Sequence, residues 1–136
     1  VEMETGKVKV TDVVCVDDVG KAINPQLIEG QIEGAIVQAA GYALQEDFIE
    51  RNGFALTDRL STYLIPTVKD IPEEMQSVIM EIPDGNGPWG VRGVGEMPYM
   101  AFVPALISAV HNATGIWLDE FPITAERVFF KLNEDN

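Results

Sequence analysis

The sequence predicts an α+β fold: short strands and hairpins, one long buried helix over about residues 25–46, a second helix over about 103–114 and a short C-terminal helix. Three observations carry this. Val8, Val10, Val13, Val14 and Val16 put β-branched bulk into one short run, which is strand chemistry. Behind Asn24-Pro25, apolar residues recur at helical spacing as far as Leu44, which marks a helix. Tyr99 to Thr114 is again apolar and is followed by Gly115, the residue that most readily adopts the left-handed helix stop.

Taken in order, Val1 to Met3 and Lys7 to Asp17 are expected to pair as a hairpin, with Glu4-Thr5-Gly6-Lys7 as its turn. Asp17-Asp18-Val19-Gly20-Lys21 ends the strand. Asn24 then offers an N-cap oxygen, and Pro25 brings a φ already suited to a first helical residue. Leu27, Ile28, Ile32, Ala35, Ile36, Ala39, Ala43 and Leu44 mark the helix face. Val37, Ala40 and Tyr42 carry apolar character around the circumference, so burial on several sides is expected. Gly30, Gly34 and Gly41 each cost about 1 kcal/mol relative to Ala, which points to close approach of another backbone or of a ligand. Gln31, Ala35 and Gln38 share a face. A glutamine there is either a core amide satisfied by backbone or an amide that reads a polar ligand.

Asp47 to Phe54 reads as strand, turn and strand about Arg51-Asn52-Gly53. Leu60 to Ile65 has strand character up to Pro66, and Asp70 to Glu74 is a polar connection. Gln76 to Ile82 alternates as a strand does, and Pro83 to Pro88 is a loop. Gly90-Val91-Arg92-Gly93-Val94-Gly95 then leads to Glu96, with Met97-Pro98 behind it. Pro104 is unwelcome mid-helix, so the second helix is expected to begin at Val103 or Pro104. Trp117 to Phe121 connects to a last helix over Ala125 to Leu132, capped by Thr124, and Lys131 to Asn136 is a polar tail.

Composition bounds the function. The chain has 136 residues, the size of one ordinary domain, and its 46% hydrophobic content permits a sizeable core. A net charge of -13 argues against nucleic acid and anionic lipid, both of which need a basic surface. The single cysteine, Cys15, allows no internal disulfide, reads as a small core residue, and fits a reducing, cytoplasmic setting. No apolar segment reaches the roughly 18–20 residues of a membrane span, and no secretory signal opens the chain. The start at Val1, without an initiator Met, reads as a fragment, a processed piece or one part of a split protein. His111 is the only histidine and has no cysteine nearby, which excludes a zinc site of the usual spacing. It reads as a helix-surface or capping residue. No Gly-x-Ser-x-Gly, P-loop or dinucleotide fingerprint is present. Asp17-Asp18 before a glycine is turn chemistry or, alternatively, a cation ligand pair.

Four segments in this order carry a family resemblance: Asp18-Val19-Gly20-Lys21-Ala22-Ile23-Asn24-Pro25 leading into Gly30-Gln31-Ile32-Glu33-Gly34; Leu60 to Thr67; Gly90 to Pro98; and Phe121-Pro122-Ile123-Thr124-Ala125-Glu126-Arg127. Together they resemble the C-terminal portion of the molybdenum-binding subunit of the xanthine dehydrogenase / aldehyde oxidase family of molybdenum hydroxylases. The resemblance spans essentially the whole chain, so residues 1–136 are expected to be an incomplete part of a molybdopterin-binding domain.

The resemblance implies a molybdenum held by a pterin dithiolene, with no protein side chain as metal ligand. It implies oxidative hydroxylation of an N-heterocycle, such as a purine, or of an aldehyde, with oxygen drawn from water. A molybdenum-bound hydroxide attacks the substrate carbon, and a glutamate takes its proton; that glutamate maps onto Glu96. Such a base must lie within hydrogen-bond reach of its proton and be shielded from bulk water. The pterin-contacting glutamine maps onto Gln31. Backbone N–H groups of Gly93, Val94 and Gly95 are candidate partners for cofactor oxygens, and Arg92 either contacts cofactor or substrate or pairs with a neighbouring carboxylate. The cytosine dinucleotide form of the cofactor is one open alternative. Iron–sulfur clusters and FAD are expected on other chains or domains, since one cysteine cannot hold a cysteine-ligated cluster. The implied partners are the remainder of the molybdenum subunit, iron–sulfur and flavin subunits in a hetero-oligomer, and a small-molecule substrate. The competing reading is a non-catalytic assembly module that keeps the fold and binds no cofactor.

Overall fold

A computed structural model describes residues 1–134; Asp135 and Asn136, the end of the expected polar tail, lie outside the described residues. Strand β1 (Asp12–Asp18) pairs in parallel with β4 (Glu74–Met80), Val13 opposite Met75 and Asp17 opposite Ile79. Helix α1 (Pro25–Leu44) and helix α2 (Met97–Thr114) pack on each other and on one face of this pair. A small antiparallel hairpin, β2 (Glu50–Arg51) and β3 (Phe54–Ala55), stands apart, and α3 (Ala125–Glu134) closes the described chain. This is the expected α+β mixture of small sheets and three helices.

Alternation along β1 sets the layers. Val13 and Cys15 turn toward the helices with Met75 and Ile79, while Val14 (65% exposed) and Val16 (53%) face outward. The core lies between the helices: Ile32, Ile36, Ala39, Ala40 and Ala43 of α1 meet Phe102, Leu106 and Val110 of α2. Phe102, Leu106 and Val110 follow at four-residue steps and so form one stripe. Full burial of a side chain such as Ile32 or Ile36 contributes about 1.5–3 kcal/mol.

The start of α1 is as expected, with the Leu27 amide donating to Asn24 Oδ1 at 3.2 Å. At Gly41 the close neighbour is a side-chain ring rather than a backbone: a Cβ there would lie 2.5 Å from Pro66 Cγ. At Gly30 and Gly34 an added Cβ meets nothing within 4 Å among the described residues.

Three expectations are corrected. The N-terminal hairpin does not form. A local turn does, with Gly6 (φ +72°) donating to Glu2 O at 2.8 Å and the Glu2 amide to Lys7 O at 2.9 Å. β1 instead takes a partner some sixty residues on, a parallel pairing that needs a long crossover. Gly6 is held under α3, where a Cβ would lie 2.6 Å from the Phe129 nitrogen.

Leu60 to Ile65 is not a strand. The amides of Thr62 and Tyr63 donate to Arg59 O at 2.9 and 2.7 Å, which satisfies the backbone locally. Finally, α2 begins at Met97 rather than at Val103. Pro98 sits in the first turn, where no N–H is required. Pro104 lies on the exposed side, where water can satisfy the carbonyl that its ring leaves unpaired, and burial of the Phe102 stripe holds the helix through it.

The C-terminal signals hold. Gly115 adopts φ +81° and donates to His111 O at 2.7 Å. Thr124 Oγ1 accepts from the Arg127 amide at 3.3 Å at the start of α3, which runs to Glu134 rather than Leu132. Large apolar side chains stand exposed, among them Phe54 (74%), Leu60 (72%), Trp89 (81%) and Met100 (79%). Among the described residues, no helix is long and apolar enough to cross a membrane.

Candidate active site

The glycine loop is built from both ends. At its start a short 3-10 turn, Pro88–Gly90, carries two positive φ values, Trp89 at +54° and Gly90 at +79°. The Gly90 carbonyl accepts from the Asp84 amide at 3.1 Å, and the Arg92 amide donates to Val19 O at 2.9 Å. At its end the Met97 amide donates to Val94 O at 2.9 Å, and Gly95 turns with φ +50°. Gly95 thus needs the left-handed region that a side chain disfavours.

Glu96 is the residue from which α2 starts. Its side chain does not cap the helix, and it is exposed, with no hydrogen bond or ion pair among the described residues. The carboxylate is therefore free to act on something outside this chain. The shielding expected for a general base is not supplied by these residues.

A cavity of about 200 Å³ brings three of the expected site residues together: Gln31, Arg92 and Val94 line it, with Val19, Asn24 and Ile28. Gly93, Gly95 and Glu96 neighbour Val94 in the chain without lining this cavity. A Cβ added at Gly93 or Gly95 meets nothing within 4 Å. Gln31 is exposed and its side chain makes no hydrogen bond among the described residues, so it is not the satisfied core amide that its spacing left open. The loop face and the Gln31 face of α1 thus present free donors and acceptors, bare backbone and open space, the features that a planar, polar heterocycle edge requires.

Arg92 is engaged within the chain. Its Nη1 donates to Asp18 Oδ2 at 2.6 Å, and its Nε lies 3.5 Å from Asp84 Oδ2. Asp18 Oδ1 also accepts from the amides of Gly20 and Ile82, each at 3.0 Å. From the sequence, Asp18 reads as turn chemistry or as half of a cation ligand pair. Its reach to Arg92, 74 positions away, has no local signal.

The Gly20 and Ile82 amides, aided by Arg92, hold the Asp18 carboxyl below the usual carboxylate range. Asp70 is held low in the same way by the amide and hydroxyl of Thr67. A carboxyl lower in the folded than in the unfolded state stabilises the fold above its unfolded value, and that contribution is lost as pH falls through the folded value. Thermal melts from pH 6 downward are expected to be flat until about pH 4, near the unfolded aspartate value, and to fall below it. Asp18→Asn is expected to remove part of that acid slope; an unchanged slope would contradict the assignment.

Two other candidates resolve as structural. His111 Nδ1 lies 3.2 Å from Ile116 O, and its ring stacks on Trp117 at 3.9 Å, so it closes the end of α2. Cys15 Sγ donates to Asp17 Oδ2 at 3.0 Å; burial, then that bond, pushes its thiol up to about 12, which keeps it protonated and unreactive. Among the described residues no group of three His, Cys, Asp or Glu is placed to hold a metal ion.

The molybdopterin cofactor-binding domain family matches residues 1–72. A probable xanthine dehydrogenase chain of Bacillus subtilis (strain 168) is 38% identical over 128 residues, 94% of this chain and 17% of that protein. Among solved structures, the quinoline 2-oxidoreductase of Pseudomonas putida 86 matches with a TM-score of 0.86 at 37% identity, over 93% of this chain and 16% of that one. The aldehyde oxidoreductase of Desulfovibrio gigas matches with a TM-score of 0.89 at 31% identity, over 98% of this chain and 14% of that one. The chain spans between 14% and 18% of the length of the curated relatives it matches. By sequence and fold together, the chain belongs to the molybdopterin cofactor-binding family of the xanthine dehydrogenase / aldehyde oxidoreductase molybdenum hydroxylases.

Proposed function

We propose that this chain is the C-terminal portion of the molybdenum-binding part of a hydroxylase, incomplete by itself, and that it contributes Glu96 as the general base. The observation that carries the reading is the end of the glycine loop: a free carboxylate at Glu96, directly after Gly93 and Gly95, whose missing side chains leave open space. Gln31 and the backbone of Gly93, Val94 and Gly95 would hold the pterin, with Arg92 forming the wall of the adjoining cavity. When bound, the molybdenum cofactor supplies the two-electron acceptor that hydroxylation requires. Glu96 accepts the proton of the water-derived hydroxyl that becomes the nucleophile, and so raises its electron density at the moment of attack. Because Glu96 is exposed here, water must be excluded by the remainder of the subunit, which we propose covers this face.

The substrate class is an electron-poor carbon of an N-heterocycle or aldehyde. This is supported by relatives named for xanthine, hypoxanthine, quinoline and aldehydes. Electrons leave through iron–sulfur and flavin centres on other chains or domains, in a cytoplasmic hetero-oligomer. The pterin is either molybdopterin itself or its cytosine dinucleotide.

Gly93→Val in the assembled, matured complex tests the reading. Within the chain the new side chain meets open space, so folding stability is expected to change by no more than about 0.5 kcal/mol. Molybdenum and pterin content are expected to fall several-fold, because the added methyls occupy the cofactor's place. Molybdenum at background level in the wild-type complex would instead support a non-catalytic assembly module.

A further inference from the structure

We propose that Asp18 is a positioning residue for the Glu96 loop, one carboxylate that ties the ends of β1 and β4 to the segment entering α2. The inference rests on the reading of Glu96 as the base. Three donors from three segments converge on Asp18: the Gly20 amide at 3.0 Å, the Ile82 amide at 3.0 Å and Arg92 Nη1 at 2.6 Å. The contact with Arg92 is doubled by the backbone, since the Arg92 amide donates to Val19 O at 2.9 Å and the Val19 amide to Met80 O at 3.0 Å. Asp84 holds the guanidinium from its other side.

The packing is close enough to make this junction selective. Val19 is 1% exposed. Gly20 (φ +69°) abuts the Gly90 carbonyl, and a Cβ there would also lie 3.1 Å from the Arg92 nitrogen. The loop therefore lies against the β1 turn with no room for a side chain between them.

Both walls of the cavity hang from this point. On one side Arg92 is four residues before Glu96, and on the other Asp18 is six before Asn24, the cap of the helix that carries Gln31. The side chains of Asp18 and Arg92 are 23% and 41% exposed, so the pair is partly shielded and less weakened by water than a free surface pair. A carboxylate that only stabilised its own turn would need Gly20 alone. Asp18 gives its second oxygen to the loop.

Asp18→Asn separates the two roles. The amide oxygen still accepts from Gly20 and Ile82, while its NH₂ confronts Arg92 in place of an anion. In the assembled holoenzyme, kcat per molybdenum is expected to fall by at least about tenfold with KM within about threefold, because positioning is felt in the transition state. Hydrogen exchange of the Arg92 amide is expected to quicken by at least about tenfold, since the loop opens locally. Arg92→Lys, which keeps the charge and loses the fork, should show the same signature more weakly and serves if Asp18→Asn fails to assemble. Lys9→Ala, at an exposed ion pair with Glu73, is the control and should change neither readout.

The proposal is overturned if kcat per molybdenum stays within about twofold of wild type with Arg92 amide exchange unchanged, even where melting falls. Glu96→Gln in the same complex keeps the two ideas apart. An active Glu96→Gln enzyme removes the base reading, whereas an inactive one beside a fully active Asp18→Asn enzyme removes only the role of Asp18.

Discussion

Replacing Glu96 by Gln in the assembled enzyme is expected to lower kcat by about 10²–10⁴-fold and to leave KM nearly unchanged, the range by which a positioned general base contributes. The substitution is close to isosteric, and the Glu96 side chain makes no cap bond to α2 and no ion pair among the described residues. Folding therefore has little to lose, and the melting temperature is expected to stay within error of wild type. That separation makes the experiment decisive: activity falls because a proton acceptor has gone, not because a helix has come loose. Glu96→Ala should behave alike. Steady-state kinetics normalised to molybdenum content checks both. A loss of less than about tenfold, under about 1.4 kcal/mol of transition-state stabilisation, would show that Glu96 is not the base.

Much of this arrangement was legible in the residues because it is local. Asn24-Pro25, Asn52-Gly53, Gly115 and Thr124 act through their own backbone angles or through bonds to residues a few positions away, and each sits where its chemistry asks. The first main helix followed from periodicity, and the second from its apolar run closed by Gly115. What could not be read was pairing at a distance. β1 carries the same β-branched run whether its partner is Val1 to Met3 or Glu74–Met80, and only burial of Val13 and Cys15 beside Met75 and Ile79 decides.

Leu60 to Ile65 failed as a strand for the same reason: β-branched and apolar residues pack a sheet only when one is there to receive them. Pro104 misled because a rule about hydrogen bonds was applied without knowing that its side of α2 faces outward. For the site, the order of motifs pointed to Gln31, Arg92 and the glycine loop, and the cavity lined by Gln31, Arg92 and Val94 joins them. Asp18 was missed, since nothing near it in sequence announces Arg92.

The second large effect concerns the floor on which Glu96 stands. Phe102→Ala is expected to destabilise the α1–α2 pair by about 3–5 kcal/mol, the usual range for removing a buried aromatic ring. Phe102 is 7% exposed and packs in the cluster of Ile32, Ile36, Ala39, Leu106 and Val110. Ala39, Ala40 and Ala43 of α1 lie in the same cluster, and their small size lets α2 come near. Having no long side chains, they cannot reach into the space a lost ring leaves, so the cavity persists unless α2 itself moves. Phe102 lies six residues after Glu96 on that helix, so any such movement is carried to the carboxylate. Phe102→Leu, which keeps most of the volume, should cost about 1 kcal/mol. Native-state hydrogen exchange of the α2 amides in the assembled subunit reads the opening energy of this pair without requiring the whole protein to unfold as one unit. If α2 opens no more readily in Phe102→Ala than in Phe102→Leu, the helix pair is not the foundation of the site, and Glu96 must be held from the loop side alone.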